Sequence, residues 1–207
     1  MTTRSSTHPH GHPNQQVEAV RREKRQKLHR RTAVIGAVVA VLIAVVAAMM
    51  ASSRSTANTT AREAPGFTLT DTAGKSVSLA GLKGHPVILF FSEGAGCGSC
   101  LQQMASIEKD RASFDALGVI VLPIVMNTKD QITRDMNDYG VSTPFLLDDG
   151  KVSAAYGTLG KGMHAGLPGH AFVLIDKNGV QRWSGEYPSM FIPTADLLTQ
   201  VRKNLAL

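Results

Sequence analysis

The chain has 207 residues, with 22 Lys and Arg against 16 Asp and Glu, a formal net charge of +6 and only two cysteines. With no second cysteine pair, a structural zinc module built on two such pairs is excluded. The surplus charge belongs to residues 1–31, which hold eight basic and two acidic side chains, while the remaining 176 residues carry 14 of each. A basic tail on a neutral body gives no support for a nucleic-acid-binding domain, so no nucleic acid is expected as partner.

Residues 1–31 are rich in Ser, Pro, Gln and His and lack an apolar period, which predicts a disordered tail. His8, His10 and His12 could bind a metal, but a solvated tail accounts for them as well. Ala33–Ala51 follows as an uncharged run of Ala, Val, Ile, Leu, Met and one Gly. At 1.5 Å per residue, such a run matches the ~30 Å hydrocarbon core, and a membrane-spanning helix is predicted over residues 32–52. The basic cluster before it puts the N-terminus in the cytoplasm and the rest of the chain outside. A cleaved signal peptide fits less well, because its apolar core is usually ~7–15 residues and no cysteine ends the run for lipid attachment. Residues 53–63, rich in Ser, Thr and Ala, read as a spacer, and residues 64–207 are long enough for one domain with a single core.

Within that domain Phe67–Thr70 and Lys75–Leu79 alternate around Asp71-Thr72-Ala73-Gly74, a hairpin signal. Pro86–Phe91 is a continuous apolar run, as expected of a strand buried on both faces. Cys97-Gly98-Ser99-Cys100 comes next, followed by Leu101, Met104 and Ile107 at helical spacing. Val119–Met126 is a second buried strand, in which Pro123 calls for an edge or a bulge. Thr128 is the expected N-cap of a helix through Tyr139, closed by Gly140. A short helical turn is predicted over Lys151–Tyr156, and Phe172–Asp176 is a third strand. Asn178-Gly179 supplies the positive φ for a hairpin into Val180–Trp183. A helix from Pro193 to Leu207 closes the chain with Leu197, Leu198 and Val201 on one face. The order predicts an α/β fold, a mixed sheet with helices on both faces.

The cysteine pair carries the chemistry. The thiolate is the nucleophile, and a helix N-terminus favours it through its unsatisfied N–H groups and dipole. With Cys100 one turn on, Cys97 can attack a disulfide and Cys100 can resolve the mixed intermediate. A structural staple is poorly motivated, since a four-residue ring removes little loop entropy from the unfolded chain. Two inert core cysteines fit badly with Gly94, Gly96 and Gly98, which suit a strand-to-helix turn with unusual backbone angles.

Four segments together resemble the thioredoxin-like superfamily, in particular its redoxin branch of alkyl hydroperoxide reductase/thiol-specific antioxidant proteins and membrane-tethered thiol-disulfide oxidoreductases. They are Ala64–Asp71, Pro86–Phe91 with the Cys-Gly-Ser-Cys that follows, Thr143–Asp149, and Pro168–Gly179. The resemblance implies a thioredoxin-like fold and, as substrate, a protein dithiol or disulfide. It implies a membrane or extracytoplasmic electron donor and calls for no cofactor or metal. Thioredoxin-like oxidoreductases usually set a cis-proline against the dithiol, six residues before the Asp that ends the late strand. Here that count from Asp176 lands on His170, with Pro168 two residues earlier. Either a bulge moves Pro168 into place or His170 faces the cysteines, and both are candidate substrate-binding residues. Residues 92–97 also lack the Pro and Thr that precede a peroxidatic cysteine in the family.

The expected function is therefore a single-pass membrane thiol-disulfide oxidoreductase with Cys97 as nucleophile and Cys100 as resolving thiol. Glu93, four residues ahead of Cys97, is a candidate proton shuttle, its plainer reading an ordinary loop carboxylate. Trp183 and Tyr187 read as packing residues. Two alternatives stand beside this reading. One is a thiol peroxidase passing through a sulfenic acid on Cys97. The other is a copper carrier using the thiolates with Met163, His164 and His170.

Overall fold

The computed structural model describes residues 13–52, 55–160 and 165–206 of the protein, and the chain divides after Ser52 into two units. His8, His10, His12, Met163 and His164 lie outside the described residues. Helix α1 (Pro13–Ser52) runs unbroken from the basic segment into the apolar run. The disorder expected up to residue 31 is thus corrected from Pro13 onward. Gln, Glu, Lys and Arg are good helix formers even without an apolar face, and Lys27 pairs with Glu23 one turn away at 2.7 Å. Arg21–Ala48 is long and apolar enough to cross a membrane. Its Val, Leu and Ile side chains are exposed all round, a surface that water does not stabilise and lipid does.

In the second unit, β3 (Thr68–Asp71) and β4 (Ser76–Ser78) form the expected hairpin. Asp71 Oδ1 accepts from the Ala73 and Lys75 N–H groups at 2.9 Å and closes the turn. Strand β5 (Val87–Phe91) is buried at every residue. It lies parallel to β6 (Ile120–Val125) and antiparallel to β8 (Ala171–Ile175), which explains its unbroken apolar run. Strand β7 (Leu146–Leu147) joins β6 only at Ile124 and Val125. Ile124 O accepts from Ser92 N on the β5 side, so Pro123 turns its missing donor to the opposite side, ahead of the point where β7 begins. The proline therefore sits at a local edge, as its chemistry requires.

Asp176 closes the hairpin that follows β8 by accepting from Asn178 N and Val180 N through Oδ1 and from Arg182 through Oδ2. These bonds hold its carboxyl below the usual carboxylate range, against the opposing effect of burial. Strand β9 (Val180–Glu186) then carries two additions that the sequence did not predict, β1 (Thr56–Asn58) and β2 (Arg62–Glu63), both antiparallel. The spacer expected over 53–63 is corrected accordingly: part of it belongs to the sheet. Its strand residues are exposed and join β9 through backbone pairing, with one side-chain bond, Arg62 Nε donating to Gln181 Oε1 at 3.0 Å. The full path is β1-β9-β8-β5-β6-β7-β3-β4.

Alternate residues of β5 point to opposite faces. Ile88 and Phe90 pack with α2 (Gly98–Lys109), α4 (Lys129–Asp138) and α6 (Thr194–Leu205) through Leu101, Met104, Ile132, Leu197 and Val201. Val87, Leu89 and Phe91 pack with Val152 and Tyr156 of α5 (Lys151–Tyr156). Between α2 and β6, Phe114 of the short helix α3 (Arg111–Asp115) is buried in the first of these cores. Helix α4 begins in a capping box, with Gln131 N donating to Thr128 Oγ1 and Thr128 N donating to Gln131 Oε1. This is a thioredoxin-like arrangement, and it delivers the chain at the C-terminal end of β5 straight into the cysteine loop.

Candidate active site

The loop after Phe91 makes a tight turn before α2. Gly94 and Gly96 have φ of +72° and +87°, the left-handed region that glycine enters without strain. A Cβ on Gly94 would collide with Asn127 and Val125 as well. Gly98 differs from the expectation of an unusual backbone angle. It has no positive φ, and a Cβ there would meet the hydroxyl end of Tyr139, which would have to move aside. Two loop N–H groups are taken by side chains from around α4: Ala95 N donates to Asn127 Oδ1 at 2.9 Å, and Gly96 N donates to Asp135 Oδ2 at 2.7 Å.

Cys97 is the N-cap of α2 and is half-buried. Cys100, one turn into the helix, is 1 % exposed. The two are joined as a disulfide with Cα atoms 5.3 Å apart. The Cys100 N–H donates to Cys97 Sγ at 3.3 Å, one of the helix-end N–H groups available to stabilise a sulfur anion at that position. One sulfur is thus presented and the other held behind it, the asymmetry that a nucleophile and a resolving thiol require.

His170, rather than Pro168, lies against the pair. Pro168 is buried and bridges Leu159, while Gly169 N donates to Thr158 O. No described peptide bond is cis. His170 is 2 % exposed, with Nδ1 3.8 Å from Cys100 Sγ and Nε2 3.4 Å from Gln103 Oε1. Its ring meets the edge of Phe90 at a centroid distance of 4.9 Å. Burial pushes the imidazole down to about 4, so it is neutral near pH 7. Glu93 sits half-buried in the loop ahead of Cys97.

Sequence reasoning missed Gln103, which is fully buried. Its Oε1 also accepts from Ile192 N at 2.8 Å, while its Nε2 has no partner among the described residues. Leaving an amide donor unsatisfied in a core costs about 1–3 kcal/mol. The signal was a lone polar residue beside Leu101, Met104 and Ile107 on the inward helix face. Asn127, Asp135 and Tyr139 were missed too, and they reach the loop only through the tertiary fold. Trp183 is 1 % exposed and packs in the core, and Tyr187 lies edge-on to Phe172 at 6.1 Å, as expected. Among the described residues no group of three or more His, Cys, Asp or Glu side chains could hold a metal ion.

The sequence profile of the AhpC/TSA family matches residues 60–184. Among curated relatives, the chain is 32% identical over 119 residues to the thiol-disulfide oxidoreductase ResA of Bacillus anthracis, covering 57% of this chain and 64% of that protein. It is 30% identical over 119 residues to the chloroplastic peroxiredoxin Q of Suaeda salsa, covering 57% and 55%. The matches thus span less than two thirds of those relatives. The solution structure of a candidate protein disulfide isomerase from Bacteroides thetaiotaomicron superposes with a TM-score of 0.56 at 28% identity, over 70% of this chain and 89% of that one. The crystal structure of peroxidoxin BcpB from Mycobacterium tuberculosis, at 19% identity and a TM-score of 0.60 over 70% and 97%, shares the fold.

Proposed function

The chain belongs to the AhpC/TSA family, and from that membership we propose that it is a membrane-anchored thiol-disulfide oxidoreductase whose dithiol domain faces the extracytoplasmic side. The observation that carries the reading is the placement of the sulfurs, Cys97 half-buried on the N-cap of α2 and Cys100 buried behind it. Reduced Cys97 attacks a partner disulfide and forms a mixed disulfide. Cys100 then attacks Cys97 Sγ, closes the internal disulfide and frees the partner as a thiol. Run backwards, the same steps oxidise a partner dithiol. The substrate is a protein thiol or disulfide, and a membrane or extracytoplasmic donor or acceptor resets the pair. Pro168 borders the partner's position, His170 lies buried against Cys100, and Glu93 is the carboxylate of the cysteine loop.

Exchange with disulfides is favoured over peroxide reduction by the loop itself. A peroxide needs free donors around the attacking sulfur, and the Ala95 and Gly96 N–H groups are already bonded to Asn127 and to the Asp135 carboxylate. Anchoring by residues 32–52 is supported by the length and apolarity of α1 and by the basic cluster on its N-terminal side. The test is a direct comparison on the full-length protein in detergent. It should catalyse insulin reduction by dithiothreitol while consuming hydrogen peroxide, followed by stopped flow, no faster than a free thiol. Rapid peroxide consumption with inert insulin would contradict the proposal.

A further inference from the structure

The hydrogen-bond pattern around Gln103 fixes a proton. Its carboxamide oxygen accepts the Ile192 N–H at 2.8 Å, and a flipped amide would set two donors against each other there. The same oxygen stands 3.4 Å from His170 Nε2, so Nε2 carries the ring proton. His170 Nδ1 is left with a lone pair, and it points at Cys100 Sγ from 3.8 Å. Phe90 and Phe172 flank the ring at centroid distances of 4.9 and 5.7 Å, and imidazole and sulfur are both buried. Cys100 needs such a neighbour. A thiol with 1 % exposure resists ionisation in apolar surroundings, yet must surrender its proton to act as a nucleophile.

We propose that His170 is the general base that deprotonates Cys100 in the resolving step, with Gln103 as the residue that positions its tautomer. The inference rests on the exchange reading above and assigns His170 to the second sulfur rather than to substrate contact. In the mixed disulfide, the Cys100 Sγ–H proton passes to His170 Nδ1 as Sγ attacks Cys97 Sγ. The Cys97–Cys100 bond forms, the bond from Cys97 to the partner sulfur breaks, and its electron pair leaves on the partner thiolate. That thiolate then takes the proton from Nδ1, so the imidazole ends neutral and the partner ends as a thiol. In the oxidising direction Nδ1 takes the proton of the attacking partner thiol and passes it to the departing Cys100 thiolate, so the imidazole again ends neutral.

The test is a single turnover of reduced full-length protein in detergent with 5,5′-dithiobis(2-nitrobenzoate). Attack by Cys97 releases one nitrothiolate, and resolution by Cys100 releases the second. In His170→Gln, which approximates the ring in size and remains polar, the first phase should be unchanged and the second slowed about 100-fold. Two phases with wild-type rates in the variant overturn the proposal. A wild type that releases nothing in either phase sinks the exchange reading instead, so the two failures are distinguishable. Should the variant not fold, nitrogen NMR of the reduced wild type decides: an unprotonated Nδ1 on His170 supports the assignment, and a protonated Nδ1 overturns it.

Discussion

Cys97→Ser should lose insulin reduction entirely, falling to the background rate of dithiothreitol alone. Serine keeps the size and the N-cap geometry, because a hydroxyl is itself a preferred cap. Helix α2 therefore stays in place, and Leu101, Met104 and Ile107 remain packed against the sheet. What disappears is an ionisable sulfur at the one position of the pair that a partner can reach. Cys100 does not substitute for it, since Cys100 is buried with His170 and Gln103 around it. A circular dichroism spectrum and melting point measured beside the activity separate loss of chemistry from loss of fold. A Cys97→Ser protein that still reduces insulin would refute the role of the nucleophile.

Cys100→Ser has the second large effect, and its sign is opposite at the first step. Cys97 still attacks, but no sulfur stands behind it to displace the partner, so the mixed disulfide accumulates as a covalent adduct. Non-reducing electrophoresis with mass mapping should find a partner peptide joined to Cys97, released only by added thiol. Turnover with insulin falls to the rate at which dithiothreitol itself attacks the adduct. A variant that turns over like the wild type would mean that Cys100 plays no part in resolution.

Much of this site was legible in the sequence because its signals are local. The apolar run of β5, the cysteines at the head of an apolar helical stripe, and Asn178-Gly179 in a hairpin each declare themselves within a few residues. Strands β1 and β2 did not, because Thr56–Asn58 and Arg62–Glu63 are exposed and join β9 mainly through backbone bonds, the Arg62–Gln181 contact spanning 119 residues, so no apolar alternation marks them. The helix from Pro13 was hidden for a related reason: helix propensity without an apolar face looks like a solvated tail. His170 and Pro168 were both in view, but the choice between them turned on the bridge from Pro168 to Leu159. Gln103, Asn127 and Asp135 act on the site across 32 to 89 residues of chain, which no window of sequence reports.

The account depends on the two sulfurs being unequal once reduced, Cys97 presented by the helix end and Cys100 withheld. The most direct measurement is the rate of iodoacetamide alkylation of each cysteine in the reduced full-length protein at pH 7, located by mass spectrometry at short times. Cys97 should be modified first, with Cys100 unlabelled until the protein is denatured. Equal labelling of the two, or modification of Cys100 ahead of Cys97, would contradict the account.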